Sequence, residues 1–102
     1  MISRIVANKG VIEFLKAAEI LKKKYSDWEF VIVGGLDYKS PDLIYKNILD
    51  EFKKNNIVTI HDYKPDVSKF FQKAEIFCLP SYREGMPKTV MEASSCGIPV
   101  VT

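Results

Sequence analysis

The sequence has few of the residues that build disulfide frameworks, metal sites or membrane spans. Two cysteines, Cys78 and Cys96, and one histidine, His61, occur in 102 residues. Two cysteines are too few for a disulfide framework, and both fall where small buried residues are expected. No apolar run approaches the roughly 18 residues of a membrane span, and the first ten residues lack the apolar stretch of a signal peptide. We therefore expect a cytoplasmic protein.

Charge of one sign is also missing. Fifteen Lys and Arg residues face thirteen Asp and Glu residues, for a formal net charge of +2. Binding to nucleic acid through phosphate contacts needs a more concentrated basic surface, so we expect no nucleic-acid partner. The lysines at 22–24 suit the negative end of a helix dipole, with contact to an anionic membrane surface as the alternative.

The length and the composition allow one globular domain, residues 1–102. Apolar runs and helical stripes alternate along the chain. Strands are predicted at 5–7, 28–35, 57–60, 76–79 and 98–101, and helices at 11–24, from 40 into the Lys-rich stretch before 56, after Asp66, and at 87–96. The second helix would start at a Ser40 cap and use Ile44, Tyr45 and Leu49 on its apolar face. This βαβαβαβαβ order predicts an α/β fold, an open parallel sheet with helices on both faces.

Ligands of such sheets bind beyond the carboxyl ends of the strands. In the first loop, Arg4 and Lys9 precede a helix that starts near Gly10, an arrangement that can hold phosphate; an ordinary surface loop is the alternative. Gly34 and Gly35 would let a ligand approach closely, yet no dinucleotide or phosphate-loop signature accompanies them. The lone histidine has no nucleophile or metal-ligand context, so a structural role is favoured.

The last 23 residues, PSYREGMPKTVMEASSCGIPVVT, combine a turn, a helix and a strand. Met86 and Pro87 are predicted as cap and first residue of the helix, which would leave nearby backbone N–H groups free to bind an anion. These amides belong to Gly85, Met86, Lys88 and Thr89.

Two glutamates flank this helix start. Glu84 would lie at the rim of the anion site. Glu92, one turn further, could accept hydrogen bonds from a vicinal diol. The alternative for Glu92 is a surface pair with Lys88 at a spacing of four residues.

The segment PSYREGMPKTVMEASSCGIPVV closely resembles the signature of the retaining glycosyltransferases of family 4, which have the GT-B fold. Its two glutamates are separated by seven residues, as in that family. SRIVANKG resembles the family's Gly-Arg-Leu, spacer, Lys-Gly loop, and FVIVGG resembles its second strand and glycine turn. The resemblance implies a Rossmann-like sheet of about five strands in the order 3-2-1-4-5, in a truncated C-terminal half of the GT-B fold that binds the nucleotide sugar.

The resemblance also implies roles for site residues. Arg4 and Lys9 would hold the donor diphosphate and stabilise its developing charge, while Glu84 would bind hydroxyls of the transferred sugar; these three are the candidate catalytic residues. Glu92 would bind the ribose. The phosphates and sugar would meet the backbone of three further donor-binding residues, Gly85, Met86 and Pro87. Transfer in such enzymes needs no protein nucleophile, and the lack of an Asp-x-Asp pair agrees with no metal and no cofactor.

Some features depart from the family pattern. Ser3 and Asp62 stand where the family commonly has glycine. The acceptor-binding domain, the glycine-rich loop after the fifth strand and the final strand and helices are absent. We expect a shortened piece or an unusual natural fragment of the donor-binding half, inactive by itself, whose edge at 98–101 favours self-association.

Other identities remain open at this point. The substrate would be a UDP-, GDP- or ADP-linked sugar with an unknown acceptor, and the full-length protein could contact a membrane peripherally. Other GT-B enzymes, such as a glycogen or starch synthase or a sugar-nucleotide epimerase, are the first alternative. A non-catalytic α/β interaction module is the second.

Overall fold

A computed structural model describes residues 1–41 and 46–102. Helices and parallel strands alternate along this part of the chain, which confirms the predicted α/β class. The strands are β1 (Val31–Val33), β2 (Thr59–His61), β3 (Phe77–Cys78) and β4 (Val100–Val101), and the helices are α1 (Val11–Lys24), α2 (Lys46–Lys54), α3 (Ser68–Lys73) and α4 (Lys88–Ser95), with a 3₁₀ turn at Ala7–Lys9.

The strand pairings form two short parallel sheets. Strand β1 pairs with β2, Ile32 lying opposite Ile60, and β3 pairs with β4, Phe77 lying opposite Val100. The N-terminal segment runs along the other edge of β1 through isolated parallel bridges, one of which joins Ile2 to Val33. The position of the N-terminal segment beside β1 agrees with part of the predicted strand order. The pairings do not join all five strands, so the complete order 3-2-1-4-5 is not confirmed.

The first predicted strand, 5–7, was wrong in its extent. Ile5 forms an isolated bridge to Leu36, whereas Ala7 already begins the 3₁₀ turn. The amide of Gly10 closes that turn by donating to the Ala7 carbonyl over 2.9 Å. Local turn formation therefore ends the extended backbone before a full strand can form.

The second predicted strand, 28–35, shortens to β1. Trp28 lies in the turn after α1, where its ring stacks on Tyr25 with centroids 4.8 Å apart. Phe30 packs edge-on against Phe14 of α1 at 6.5 Å. The aromatic residues before β1 thus pack side chains between helix and sheet, and only Val31–Val33 pair as a strand.

The helical stripes are confirmed where they are described. Helix α1 spans the predicted 11–24 and buries Val11, Phe14, Leu15 and Ala18. Helix α2 buries Leu49, and Ile48 and Phe52 pack beside it. The predicted contributions of Ile44 and Tyr45 lie outside the described residues.

Helix α4 confirms the predicted 87–96 to within one residue at each end, with Pro87 as N-cap instead of Met86. Gly97 ends it with a left-handed φ of 73°. Cys96 is exposed as the C-cap residue of α4, so its predicted burial was wrong. The N-cap of α3 is Val67 instead of the predicted Asp66, although Asp66 Oδ1 accepts a hydrogen bond from the Ser68 amide over 2.9 Å.

Two glycines bring backbone segments into contact. A Cβ on Gly10, which has a φ of 75°, would lie 2.0 Å from the Pro80 carbonyl oxygen. A Cβ on Gly34 would lie 1.8 Å from the Ser3 carbonyl oxygen. The space predicted for a ligand at Gly34 is therefore filled by the N-terminal segment, and the start of α1 packs against the loop after β3.

Among residues 1–41 and 46–102, no helix is long and apolar enough to cross a membrane.

Candidate functional site

The first loop and the loop after β3 meet in one ion pair. Lys9 Nζ donates to Glu84 Oε1 over 2.6 Å, although the two residues are 75 positions apart in the sequence. Their side chains are 19% and 22% exposed, so solvent reaches the pair only in part. The structure thus brings together two of the predicted site residues.

This contact shifts the acidity of Glu84. The hydrogen bond from Lys9 lowers the pKa of the Glu84 carboxyl below its ordinary value of 4.5, with a smaller contribution from Ser81. The charge of Arg4 makes a smaller contribution in the same direction. Glu84 is therefore held in its charged form by the groups around it.

The loop that carries Glu84 is fastened to the first loop by its own backbone and side chains. The Tyr82 amide donates to the Asn8 carbonyl over 2.9 Å, and Ser81 Oγ donates to the same oxygen over 3.2 Å. Pro80 packs on Gly10, as described above. Glu84 therefore approaches Lys9 from a loop with several fixed points.

Tyr82 adds a side-chain contact that the sequence did not indicate. Its hydroxyl donates to the carboxylate of Glu13 in the first turn of α1. This hydrogen bond raises the pKa of Tyr82 and lowers the pKa of Glu13. The two residues are 69 positions apart, and no local pattern pairs them.

Arg4 has a different partner. Its Nη1 donates to Asp37 Oδ2 over 2.8 Å, and Asp37 lies just beyond the carboxyl end of β1. The other oxygen of Asp37 accepts the amide of Lys39 over 3.1 Å. The side chain of Arg4 is 62% exposed and that of Asp37 29%. Sequence reasoning missed Asp37; its position in a loop after a buried strand was the available signal.

The start of α4 offers free donors beside Glu84. Four backbone amides at this start donate no hydrogen bond outside the helix to any residue that the structure describes. They belong to Gly85, Met86, Lys88 and Thr89. Met86 is 79% exposed, and nothing lies within 4 Å of a Cβ built on Gly85. Pro87 caps the helix without a side-chain hydrogen bond. Among the described residues these amides therefore have no acceptor outside the helix.

Glu92 stands apart from this cluster. It lies half-buried in α4, and within the described part of the chain its carboxylate makes no hydrogen bond and no ion pair. The alternative, an ion pair between Glu92 and Lys88, is therefore not formed in this structure. Glu92 keeps an unused acceptor group one helical turn beyond the open amides.

His61 ends β2 and packs its ring against Phe70 with centroids 5.1 Å apart. This contact agrees with the structural role favoured for the lone histidine. In the two described ranges, no three His, Cys, Asp or Glu side chains are grouped so that they could hold a metal ion.

A cavity of about 360 Å³ opens beside the fastened loops. Ala7, Asn8 and Ile12 line it together with the Tyr82 and Glu13 pair. Arg4 and Glu84 are not among its lining residues. Arg4 is mostly exposed at 62%, whereas the side chains of Lys9 and Glu84 are 19% and 22% exposed.

Comparison with known proteins gives the family. Residues 1–102 match the family model described as glycosyl transferases group 1. The match covers the whole sequence, including the first loop and the two glutamates.

Curated relatives agree with this match. The chain is 39% identical over 101 residues to the N,N'-diacetylbacillosaminyl-diphospho-undecaprenol alpha-1,3-N-acetylgalactosaminyltransferase of Campylobacter jejuni, covering 99% of the chain and 25% of that protein. It is 33% identical over 100 residues to an uncharacterized glycosyltransferase of Haemophilus influenzae, covering 98% and 28%.

A third relative is the UDP-Gal:alpha-D-GlcNAc-diphosphoundecaprenol alpha-1,3-galactosyltransferase of Escherichia coli, with 30% identity over 103 residues, 99% of the chain and 26% of the relative. The chain thus spans about a quarter of the length of these relatives.

Proposed function

The chain belongs to the glycosyl transferases group 1 family, and from this premise we propose that it is the donor-binding part of a retaining glycosyltransferase of family 4 with the GT-B fold. The reaction would move a sugar from a nucleotide-diphosphate sugar to an acceptor. The family match favours this transferase function over the interaction module that composition and pattern left open.

The observation that carries the proposal is the contact of Lys9 with Glu84 beside the open start of α4. A nucleotide sugar has an anionic diphosphate between two polyols. Lys9, Arg4 and the free amides suit the diphosphate, because charge-assisted hydrogen bonds and helix N-termini both favour phosphate. A charged carboxylate next to them suits the hydroxyl groups of the sugar, since it only accepts hydrogen bonds.

The proposed roles follow from this division. Glu84 binds hydroxyls of the transferred sugar, and Arg4 and Lys9 stabilise the charge that develops on the leaving diphosphate. The backbone of Gly85, Met86 and Pro87 meets the phosphates and the sugar. In this scheme the leaving phosphate assists attack by the acceptor on the same face of the sugar, so the protein supplies no nucleophile, metal or cofactor.

Glu92 has a separate role in the proposal. Its carboxylate in α4, which has no partner among the described residues, accepts hydrogen bonds from the ribose diol, and the two oxygens of a carboxylate can each take one hydroxyl. The two glutamates then hold the two polyol ends of the donor, and the start of α4 lies between them.

The names of the relatives guide the choice of ligands. One relative is named for UDP-Gal as donor, and two are named for acceptors linked to diphospho-undecaprenol. We propose UDP as the first nucleotide to test, followed by GDP and ADP, and a diphosphate-linked sugar as the acceptor class. The whole protein would add an acceptor-binding domain, act in the cytoplasm and contact a membrane peripherally, and the 102-residue chain by itself would not turn over.

Titration calorimetry with UDP, GDP and ADP tests the proposal. Charge-assisted contacts are worth about 1.5 to 3 kcal/mol each, so Lys9→Ala should weaken binding of the preferred nucleotide roughly tenfold or more. The matched control is Lys73→Ala, which removes an exposed lysine from the last turn of α3 and should leave the affinity unchanged. Equal affinity of the Lys9 variant and the wild type would contradict the proposed clamp.

A further inference from the structure

Both cations of the proposed clamp have a carboxylate partner in the structure, but the two partners differ in kind. The partner of Lys9 is Glu84, which the proposed function assigns to the sugar. The partner of Arg4 is Asp37, which has no role in that function. Asp37 therefore needs its own explanation.

The position of Asp37 is held from two sides. Its Oδ1 accepts the Lys39 amide over 3.1 Å and its Oδ2 accepts Arg4 Nη1 over 2.8 Å. The backbone contact fixes the carboxylate at the end of β1, whereas Arg4 is 62% exposed and has room to turn towards a ligand. A diphosphate that binds Arg4 must therefore share the guanidinium with a fixed negative charge or replace it.

We propose that Asp37 is a specificity-determining residue whose carboxylate competes with the donor diphosphate for Arg4 and weakens binding more strongly as the charge of the ligand increases. This inference rests on the proposed function. Like charges repel in proportion to their product. The repulsion between Asp37 and the ligand therefore depends on the groups attached to the diphosphate, because these set its charge.

The charge of the diphosphate differs between the substrate, a nucleotide sugar, and the product, a free nucleoside diphosphate. In a nucleotide sugar each phosphorus carries one ester bond and shares the anhydride oxygen, so the ligand has about two negative charges. In the free nucleoside diphosphate the terminal phosphate has a second ionisation near pH 6, which adds most of a third charge at pH 7. Asp37 would thus disfavour the product relative to the substrate and favour its release after transfer.

Asp37→Asn separates charge from shape, because the amide removes the negative charge and keeps one acceptor oxygen, which can serve the Lys39 amide or Arg4 but not both in the present geometry. The probes are UDP with UDP-galactose, GDP with GDP-mannose and ADP with ADP-glucose. We expect the variant to bind the preferred nucleoside diphosphate about two- to fivefold more tightly, the size of an exposed ion-pair effect. The matching nucleotide sugar should gain less.

Asp27→Asn is the matched control. It removes the same charge from an exposed position before β1, at the opposite end of the strand from Asp37. Its affinities should equal those of the wild type. Unchanged or weaker nucleotide binding by Asp37→Asn, or an equal gain for diphosphate and sugar nucleotide, would overturn the inference and leave Asp37 as a support that positions Arg4.

A second measurement does not depend on nucleotide recognition. The chain has two arginines, Arg4 and Arg83, so side-chain ¹⁵N NMR can follow Arg4 during titration with inorganic diphosphate. The Arg4 signal should shift at a lower diphosphate concentration in Asp37→Asn than in the wild type, and identical titrations would overturn the inference. If the nucleotides bind neither protein while this difference is present, the proposed function fails and the competition at Arg4 stands.

Discussion

Glu84 and Glu92 come from one motif, yet the structure gives them different surroundings. Glu84 sits on a loop that contacts the first loop through Lys9, Asn8 and Gly10. Glu92 sits on a regular helix, and in the part of the chain that is described its carboxylate has no partner. The first position depends on tertiary packing, whereas the second needs only the helix. The comparison shows that one sequence signature can contain a group positioned by tertiary contacts and a group without a partner among the described residues.

The tertiary packing that positions the Glu84 loop can be disrupted at Gly10. Gly10→Ala places a Cβ against the Pro80 carbonyl and forces alanine into a left-handed φ of 75°. The left-handed conformation alone costs about 1–2 kcal/mol, and the overlap with a backbone atom adds to it. We expect a loss of about 3 kcal/mol or more in the free energy of unfolding, measured by urea denaturation.

Gly97→Ala is the control for that experiment, because Gly97 has a φ of 73° and nothing within 4 Å of its Cβ position. It should lose only the conformational cost of about 1–2 kcal/mol. Equal losses in the two variants would show that the contact between the start of α1 and Pro80 does not stabilise the fold.

The helix side of the comparison is tested by Glu92→Gln. The amide replaces one acceptor oxygen by a donor, so binding of the preferred nucleotide should weaken by roughly five- to tenfold, the difference between a charged and a neutral hydrogen bond. The melting temperature should stay within a few degrees, as for a surface change. Lost stability with retained affinity would identify Glu92 as a structural residue and exclude the ribose assignment.

The smallest effect concerns the acidity of two carboxylates at the loop contacts, Glu84 and Glu13. The Lys9 contact depresses the pKa of Glu84 below 4.5, so its contribution to stability is present above that ordinary value and is lost as the pH falls through the lower folded value. Carboxyl ¹³C NMR should show that Lys9→Ala raises the pKa of Glu84 and leaves that of Glu13 low. Tyr82→Phe should do the reverse, since Tyr82 is the main cause of the low pKa of Glu13. An unchanged pKa of Glu84 in the Lys9→Ala variant would mean that the ion pair does not persist in solution.

Much of the secondary structure followed from local pattern. The apolar stripe predicted α1 with its bounds, and Gly97 marked the end of α4 because glycine adopts the left-handed conformation that closes helices. Strand limits were less accurate, as in the region of Trp28 and Phe30, because a strand ends where its partner ends and not where β-forming residues end. The predicted pairing that would join the two sheets was not confirmed, because strand pairing depends on distant parts of the chain.

What the sequence by itself determined is the order of helices and strands and the family. Short-range periodicity carries the order of the elements and motifs of neighbouring residues carry the family resemblance, since both depend on neighbours in the chain. Only the tertiary structure decided that Lys9 meets Glu84, that Tyr82 meets Glu13 and that Arg4 meets Asp37. These partners are 75, 69 and 33 positions apart, and electrostatic and hydrogen-bond energies depend on distance in space, which no local pattern records.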